Sequence, residues 1–476
     1  MTPATSKLFA AIGKSADQPM GEAPAIVRKK KGQITLPEGM SYDDAIDWLE
    51  RKQIEEDTKI GVMHRIECFP LDGLVAFHRA LADKYGWTGL VPTPGFFGSN
   101  PPIMIGVPIS PTESMNVPWG CIEIPNVAGH LDTVMDTDGD DPAFIIGGQT
   151  TKKHEDEILE IAQLTRKFVR DASIYRGKAI KIDLAWTREG EDFHPERHAP
   201  RFMDLGTSPP TLIFSRAVES SLQIGLFGPI EHASACREAG VPLKRGILLY
   251  GRYGTGKTLT ASVTASRAVG SGFTFIYLSS VLDLKRGLDL AQRYAPAVLF
   301  AEDIDRVVTG PRSSELDEIL NTLDGIDTKN GEVITVFTTN HIDNINKAAL
   351  RAGRLDALVE ITPPDAEAAT RLVEHYANGL LAEGVNLPSI GEVLAGRIPS
   401  TIREVVERSK IAAIVRLSGG NIRGRVTEDD LLQAAQAMKT HEDLLVEKSE
   451  KVHETQIKLV EVGRNGAVGT HLTVSR

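Results

Sequence analysis

The spacing of apolar residues changes twice within the first 210 positions of the chain. From Ser41 to Trp87 apolar residues recur every three or four positions, which predicts helices, with Ser41 as an N-cap. From Thr93 to Pro142 prolines and glycines interrupt short apolar runs, which predicts strands joined by turns. A charged helix over 152–169 and a strand over 179–184 follow. We therefore predict one mixed α/β domain over residues 41–210.

Beyond Pro209 and Pro210 short strand-like runs alternate with helical segments, as in a parallel sheet covered by helices on both faces. The predicted strands are Gly246–Tyr250, Phe273–Leu278, Ala297–Ile304, Glu332–Thr338 and Ala357–Ile361. After Pro363 and Pro364 the pattern is helical, over 365–381, 401–417 and 427–438. The predicted division is a disordered arm (1–40), the N-terminal α/β domain (41–210), a large α/β subdomain (211–364), a helical lid (365–440) and a C-terminal tail (441–476).

Composition narrows the functional classes. The chain has 476 residues with a formal net charge of −11, which excludes a whole-surface basic footprint for nucleic acid and makes a nucleic-acid partner unexpected. Its three cysteines, Cys68, Cys121 and Cys236, exclude a disulfide framework and a four-cysteine zinc site, and they fit a reducing compartment. Because no 18-residue apolar window occurs, we expect no membrane span and a cytoplasmic location.

A glycine-rich loop follows the first predicted strand of the large α/β subdomain. Its residues satisfy the phosphate-loop pattern G-x-x-x-x-G-K-[ST] and run into a helical segment: Gly251, Arg252, Tyr253, Gly254, Thr255, Gly256, Lys257 and Thr258. Glycines let backbone N–H groups surround phosphate oxygens, and the helix N-terminus adds partial positive charge. Lys257 can bridge the β- and γ-phosphates of ATP, and Thr258 can bind Mg²⁺.

Three further polar groups follow at predicted strand ends or turns. The apolar run 297–301 ends in Glu302 and Asp303, which can hold Mg²⁺ through water and polarise the attacking water. Asn340 ends the strand before it and can orient that water. Arg351 and Arg354 lie on a turn after a helix, where they can reach a γ-phosphate; taken alone, such a pair is more often surface charge.

These motifs in this order resemble the AAA family of ATPases, over about residues 211–440. In that resemblance Gly251–Thr258 is Walker A, Leu299–Asp303 is Walker B with Glu302 toward Mg²⁺, and Asn340 is sensor 1. Residues 319–326 resemble the intersubunit-signalling helix, and Arg351 and Arg354 resemble the two arginine fingers. The resemblance implies a P-loop module with a five-stranded parallel sheet and a small helical lid. It also implies a homo-oligomeric ring, a hexamer, with the arginines acting on the neighbour's nucleotide.

The sequence departs from the family pattern in three places. The acidic pair is Glu302-Asp303, where the family has Asp-Glu, so slower turnover is expected. No aromatic residue follows Tyr277 where threading members carry a pore loop, so translocation by an aromatic side chain is not expected. In the lid, Arg403 is either a sensor-2 arginine or, more commonly for such a position, part of a helix-surface salt bridge.

The resulting hypothesis is an ATP-hydrolysing ring with Mg²⁺ as cofactor. It would remodel a macromolecular partner, expected to be a protein bound through residues 41–210. The first alternative is a nucleotide-gated scaffold that assembles but hydrolyses little ATP. The second is a motor or clamp loader on nucleic acid, which the net charge disfavours.

Overall fold

The computed structural model describes most of the chain between Val27 and Lys439. The described ranges are 27–29, 33–35, 39–86, 89–90, 92–95, 98–100, 103–136, 142–183, 199–207, 210–280, 284–304, 331–345, 355–418, 421, 423 and 425–439. Among these residues, no helix has the length and apolar character needed to cross a membrane.

The N-terminal region combines helices with antiparallel strands, as predicted. Its helices are α1 (Tyr42–Asp57), α2 (Pro70–Tyr85) and α3 (Glu155–Asp171). Its strands are β1 (Val27–Lys29), β2 (Gln33–Thr35), β3 (Lys59–Ile66), β4 (Gly89–Leu90), β5 (Thr93–Gly95), β6 (Gly98–Asn100), β7 (Ile103–Pro108), β8 (Ser114–Trp119), β9 (Cys121–Glu123), β10 (Gly129–Asp136) and β11 (Ala143–Thr151). Five of them form a sheet in the order β3-β11-β10-β9-β4. Helices α2 and α3 pack against one face of this sheet.

One prediction for this region was wrong. The stretch between the two predicted helices is strand β3, in which more and less exposed residues alternate and every backbone position pairs with β11. Period-two burial and β-branched side chains favour a strand there, and the helical pattern of its neighbours obscured this. The predicted disorder of the arm 1–40 stays a prediction, and within it β1 and β2 pair as antiparallel strands. Of the rest of the arm, only residues 39 and 40 are among the described residues.

The second large sheet has seven strands, two more than the five expected. The additional strands are β12 (Ala179–Ile182) and β13 (Arg201–Phe202); the others are β14 (Arg245–Tyr250), β15 (Thr274–Leu278), β16 (Ala297–Ala301), β17 (Val333–Thr339) and β18 (Ala357–Glu360). Their order is β13-β12-β15-β16-β17-β14-β18. Strand β12 is parallel to β15, whereas β13 is antiparallel to β12. The sheet edge is thus built from residues that we had assigned to the N-terminal domain.

The helices after residue 210 agree with the predicted alternation and with the helical end. They are α4 (Arg216–Leu222), α5 (Gly228–Glu231), α6 (Ala233–Glu238), α7 (Lys257–Gly270), α8 (Leu284–Arg293), α9 (Ala366–Ala377), α10 (Leu387–Leu394), α11 (Pro399–Arg416) and α12 (428–439). Helix α10 was not predicted. Helices α9 to α12 contribute the buried apolar residues of one separate core, which is the predicted lid.

The described residues divide into two compact units. The first contains the residues up to Leu205 together with Ala268–Phe300 and Gly331–Val333, and the second contains the remaining described residues. The predicted division into five segments stays a prediction, since it does not coincide with these units.

A buried carboxylate organises the first unit. Asp72 in α2 is only 1% exposed, and its Oδ1 accepts a hydrogen bond from the N–H of Ile174 at 2.9 Å. Its Oδ2 accepts from Ser173 Oγ at 2.7 Å and from Tyr294 Oη at 3.0 Å. Tyr294 Oη accepts in turn from the N–H of Phe69 at 3.0 Å. Burial raises the pKa of the Asp72 carboxyl, and the hydrogen bonds it accepts offset part of that rise.

Candidate nucleotide site

The predicted phosphate loop lies between β14 and α7, as its motif requires. The four central residues of β14 are buried, so the strand fixes the start of the loop inside the sheet. Gly251 follows directly, and its N–H donates to the carbonyl oxygen of Thr339 at 3.3 Å. Helix α7 begins at Lys257, so the loop ends at a helix N-terminus that favours anions.

Two motif glycines are required both by backbone conformation and by space. Gly251 has φ +153°, and a Cβ there would lie 2.3 Å from the carbonyl oxygen of Ile361. Gly256 has φ +114°, and a Cβ there would lie 3.1 Å from a ring carbon of Phe214. Side chains at these positions would displace the loop backbone. The two glycines are therefore needed for the shape of the loop as well as for its flexibility.

The loop lysine is held by the loop itself. Lys257 is 7% exposed, and its Nζ donates to the carbonyl oxygens of Gly251 and Arg252 at 2.8 and 2.9 Å. Thr255 is fully buried, and its Oγ1 donates to the same Arg252 carbonyl at 2.9 Å. Thr258 lies exposed in the first turn of α7. The ammonium group is therefore stored next to the place where phosphate would bind, on acceptors that it can exchange for phosphate oxygens.

The acidic pair follows a strand with no exposed position. All five residues of β16 are buried, and Glu302 and Asp303 are half-buried directly after it. Asp303 has φ +53°, which is uncommon for a residue other than glycine, and its N–H donates to Thr338 Oγ1 at 3.1 Å. The strained backbone is thus held by a buried hydroxyl on β17.

Asn340 lies at the end of β17 and contacts the acidic pair. Its Nδ2 donates to Asp303 Oδ1 at 3.0 Å. The preceding residue, Thr339, is the one whose carbonyl accepts the N–H of Gly251. The phosphate loop, Asp303 and Asn340 are therefore joined by two short links through the end of β17, which is the juxtaposition expected from the sequence.

Several residues near the loop were missed by sequence reasoning. The ring of Phe214 lies beside Gly256. Ile398 Cδ1 lies 2.9 Å from the position that a Cβ on Gly254 would take. Arg371 of α9 donates to the carbonyl oxygen of Phe214 and, at 2.8 Å, to Glu219 Oε1. These residues are distant from the loop in sequence and belong to no local motif, so their apolar or charged character gave no signal.

A second missed contact involves an aromatic residue of the loop. Tyr253 is 64% exposed, and its ring meets that of His341 edge to face, with centroids 5.8 Å apart. Its Oη lies 3.3 Å from His341 Nε2. His341 follows Asn340, so this contact ties the outer part of the loop to the end of β17.

Some predicted site residues lie outside the described residues. These are Arg351, Arg354 and the predicted signalling helix at 319–326. Arg403 lies exposed on α11. Asp356, which follows the segment that lies outside the described residues, accepts the N–H of Gly246 through Oδ2 at 2.9 Å.

The described residues fit a nucleoside triphosphate with Mg²⁺. The glycine conformations leave no room for Cβ atoms, a buried lysine rests on exchangeable carbonyl oxygens, and a helix begins at the loop. Thr258 and Glu302 carry hard oxygen atoms of the kind that Mg²⁺ prefers as ligands. The described site thus has a cradle for phosphate on one side and carboxylates on the other.

Comparison with known proteins matches the same part of the chain. Residues 247–363 match the model of the ATPase family associated with various cellular activities (AAA). The proteasome-activating nucleotidase of Methanoregula boonei is 32% identical over 230 residues, which is 44% of this chain and 51% of that protein. The 26S proteasome regulatory subunit 8 homolog of Schizosaccharomyces pombe is 33% identical over 207 residues, covering 39% of this chain and 51% of its own.

A longer match is found in the proteasome-activating nucleotidase of Methanocaldococcus jannaschii, which is 28% identical over 299 residues, or 59% of this chain and 62% of that protein. The chain spans about half to three fifths of the length of these relatives. The predicted fold class and the family resemblance are both confirmed over the matched segment. Residues 247–363 therefore form a domain of the AAA family.

Proposed function

We propose that this protein binds and hydrolyses ATP at the candidate site and uses the turnover to remodel a protein partner. The observation that carries the proposal is the linkage of three motif elements through β17. Gly251 of the phosphate loop is bound to Thr339, and Asp303 is bound to Asn340. Hydrolysis needs the phosphate, the activating carboxylate and the water-orienting amide within reach of one another.

Each side chain has a distinct task in this proposal. Lys257 leaves the loop carbonyls and binds the β- and γ-phosphates, while the loop N–H groups hold the remaining oxygens. Thr258 and Glu302 would hold Mg²⁺, which would supply positive charge to offset the charge that develops on the phosphate oxygens. Asp303 accepts the proton of the attacking water, and Asn340 orients both the water and Asp303.

The order of the acidic pair supports one alternative, a nucleotide-gated scaffold with little hydrolysis. Asp303 is shorter than the glutamate usual at this place in the family, and it has φ +53° and a hydrogen bond to Asn340. A displacement of about 1 Å at a catalytic group lowers rates on the order of 100-fold. In this alternative the chain would bind ATP and assemble while turning over slowly.

A ring of identical subunits is part of the proposal. Arg351 and Arg354 would complete the site of a neighbouring subunit, so turnover would depend on assembly. The lid supports an interface between copies, because Ile411 and Val415 of α11 are 59% and 73% exposed and lie one helical turn apart. By analogy with the family, six subunits are expected.

The partner would bind through the N-terminal region and not through an aromatic pore residue. Tyr277 is the last aromatic residue of its segment. Its ring stacks on that of Phe300, with an angle of 7° between the two planes. The Nζ of Lys181 lies over the Tyr277 ring, 5.3 Å from its centroid. Tyr277 is therefore part of the sheet packing.

A steady-state ATPase assay over a series of protein concentrations tests the proposal. We expect turnover per subunit to rise with concentration, and Lys257→Ala to abolish ATP binding or turnover because the triphosphate loses its cationic partner. The matched control is Lys439→Ala, which removes an exposed lysine of α12.

Three outcomes separate the alternatives. Tight ATP binding and assembly without turnover would favour the scaffold. Wild-type affinity and turnover in Lys257→Ala would overturn the assignment of the phosphate loop. Salt-sensitive binding to single- or double-stranded DNA, with turnover stimulated by it, would favour the nucleic-acid motor over a protein partner.

A further inference from the structure

A second group of ligand-type side chains lies on β9 and β10, far in sequence from the nucleotide motifs. These strands are antiparallel, with Leu131 opposite Ile122 and Asp132 opposite Cys121. Ile122 and Leu131 are buried on one face of the sheet, whereas the side chains that flank them in sequence point to the other face. Cys121, His130 and Asp132 therefore share the more exposed face.

The three side chains are close enough to bind one ion. One ligand atom from each of Cys121, His130 and Asp132 lies within 4.8 Å of the other two. His130 Nε2 lies 3.6 Å from Asp132 Oδ2. Two ligands at about 2.0–2.1 Å from a tetrahedral zinc ion are separated by about 3.3 Å, so small rotamer changes suffice to close the site.

The strand register supplies a fourth ligand. One step along the same ladder, Glu123 falls opposite His130, on the face that also bears Cys121. Glu123 is exposed, and its Oε2 lies 3.7 Å from the position that a Cβ on Gly89 would take. That carboxylate lies at the exposed end of the group, and water can take its place as a ligand.

We propose that Cys121, His130 and Asp132 bind a zinc ion, with Glu123 or water as fourth ligand. The donor set is one sulfur, one imidazole nitrogen and one or two carboxylate oxygens, which suits zinc and is unsuited to Mg²⁺ or Ca²⁺. The site is partly exposed, as is expected of an ion that enters from solvent. It is independent of the nucleotide site and of the proposed ATPase activity.

The bound ion would cross-link two neighbouring strands of the N-terminal sheet. In its absence Cys121 is a free thiol that interacts with Asp132. Zinc binds the thiolate, so the incoming ion displaces the proton of this thiol to solvent.

Cobalt substitution tests the proposal on the full chain. After treatment with a chelator, titration with Co²⁺ should give one equivalent of a near-ultraviolet thiolate-to-cobalt band, with the visible absorption of a tetrahedral ion. Cys121→Ser should remove the ultraviolet band. Cys236→Ser, which also changes a partly buried free cysteine, should retain it.

Zinc titration by calorimetry gives the second measurement. Loss of an outer-shell partner lowers metal affinity about 10–100-fold, so His130→Ala, which removes a direct ligand, should weaken zinc binding at least about 100-fold. The matched control is His154→Ala, because His154 Nδ1 also lies near a carboxylate, 3.4 Å from Glu157 Oε2, without a cysteine in the pair. Absence of the thiolate band, or equal affinity in the His130 and His154 variants, would overturn the proposal. The phosphate loop cannot mimic the result, since none of its residues is a cysteine.

Discussion

The nucleotide site and the Cys121–His130–Asp132 group place polar groups on strands in opposite ways. The first relies on backbone: glycines of unusual φ, a buried lysine on carbonyl oxygens and an aspartate held by its own N–H. The second relies on side chains alone, which project from a regular ladder. Backbone sites need a contiguous motif and a buried scaffold, whereas side-chain sites need only register. Substitutions should therefore be costly at the first site and mild at the second until an ion binds.

The largest expected effect is that of replacing Arg351, the proposed arginine finger. Arg351→Ala should lower turnover by roughly 10³ or more while leaving ATP affinity of the subunit nearly unchanged, as expected of an arginine finger. The measurements are steady-state turnover and equilibrium nucleotide binding.

A mixing experiment distinguishes action on a neighbour from local damage. A Lys257→Ala subunit still offers its arginines, and an Arg351→Ala subunit still offers its phosphate loop. Mixed assemblies should therefore regain activity at some interfaces. Near-normal turnover in Arg351→Ala would argue against the trans-acting role and against an obligate ring.

Asp72 tests whether burial, and not the unit in which a residue lies, sets the loss of stability on substitution. It lies in the same unit as the Cys121 group but is fully buried, so Asp72→Ala should lower the free energy of unfolding by about 3 kcal/mol, because Ser173, Ile174 and Tyr294 lose their acceptor. Denaturant unfolding measures this. A decrease in the free energy of unfolding of less than about 0.5 kcal/mol would show that burial of Asp72 does not determine how much the substitution destabilises the protein.

The same residue gives a pH dependence with a defined sign. The folded-state pKa of Asp72 is raised, so its contribution is greatest at pH values below the unfolded carboxyl pKa and is lost as pH rises through the folded value. Relative to Asp72→Asn, the wild-type protein should therefore gain stability on acidification from neutral pH. An unchanged difference across that range would contradict the raised pKa.

Asn340 sharpens the account of the nucleotide site itself. Asn340→Ala removes the donor to Asp303 Oδ1, and the displaced carboxylate should lower kcat on the order of 100-fold with little change in ATP affinity. Asn386→Ala in the lid is the control, because it removes a helix cap and should lower stability by about 1 kcal/mol without slowing turnover. Equal effects on turnover from both variants would mean that Asn340 is merely structural.

Alanine substitutions at two glycines, one in the phosphate loop and one at the far end of α7, test how much the loop backbone conformation contributes to stability. Gly256→Ala should lower the free energy of unfolding by about 1–3 kcal/mol, because it forces a Cβ into a positive-φ position beside Phe214. Gly270→Ala, at the other end of the helix, meets no atom within 4 Å and should be neutral or stabilising by up to about 1 kcal/mol. Thermal unfolding of both variants checks the pair, and similar losses in both would remove the special role of the loop backbone.

The smallest effect is expected at Cys121. Without metal, Cys121→Ser should change the free energy of unfolding by less than about 0.5 kcal/mol, since surface substitutions away from special features are mild. With zinc present, only the wild-type protein should be stabilised, by mass action. A large metal-free loss would mean that the side-chain group is structural in its own right.

Local patterns predicted much of the AAA domain. Sequence patterns located the strands at 246–250 and 297–301 and the phosphate loop after the first of them. Buried strands and glycine turns are recognisable from residues that are adjacent in sequence. Strand β3 and the added strands β12 and β13 were missed or misplaced because their pairing partners are distant in sequence. The positive φ of Asp303 and the contact of Phe214 with Gly256 depend on tertiary packing, which a linear pattern does not contain.

The hydrogen bond between Tyr294 and Asp72 has a mechanical consequence. Tyr294 lies just before β16, the strand whose end leads to Glu302, and its hydroxyl is anchored to helix α2 of the N-terminal region. A change in the position of α2 would therefore act directly on the segment that leads into β16, because one buried hydrogen bond joins the two.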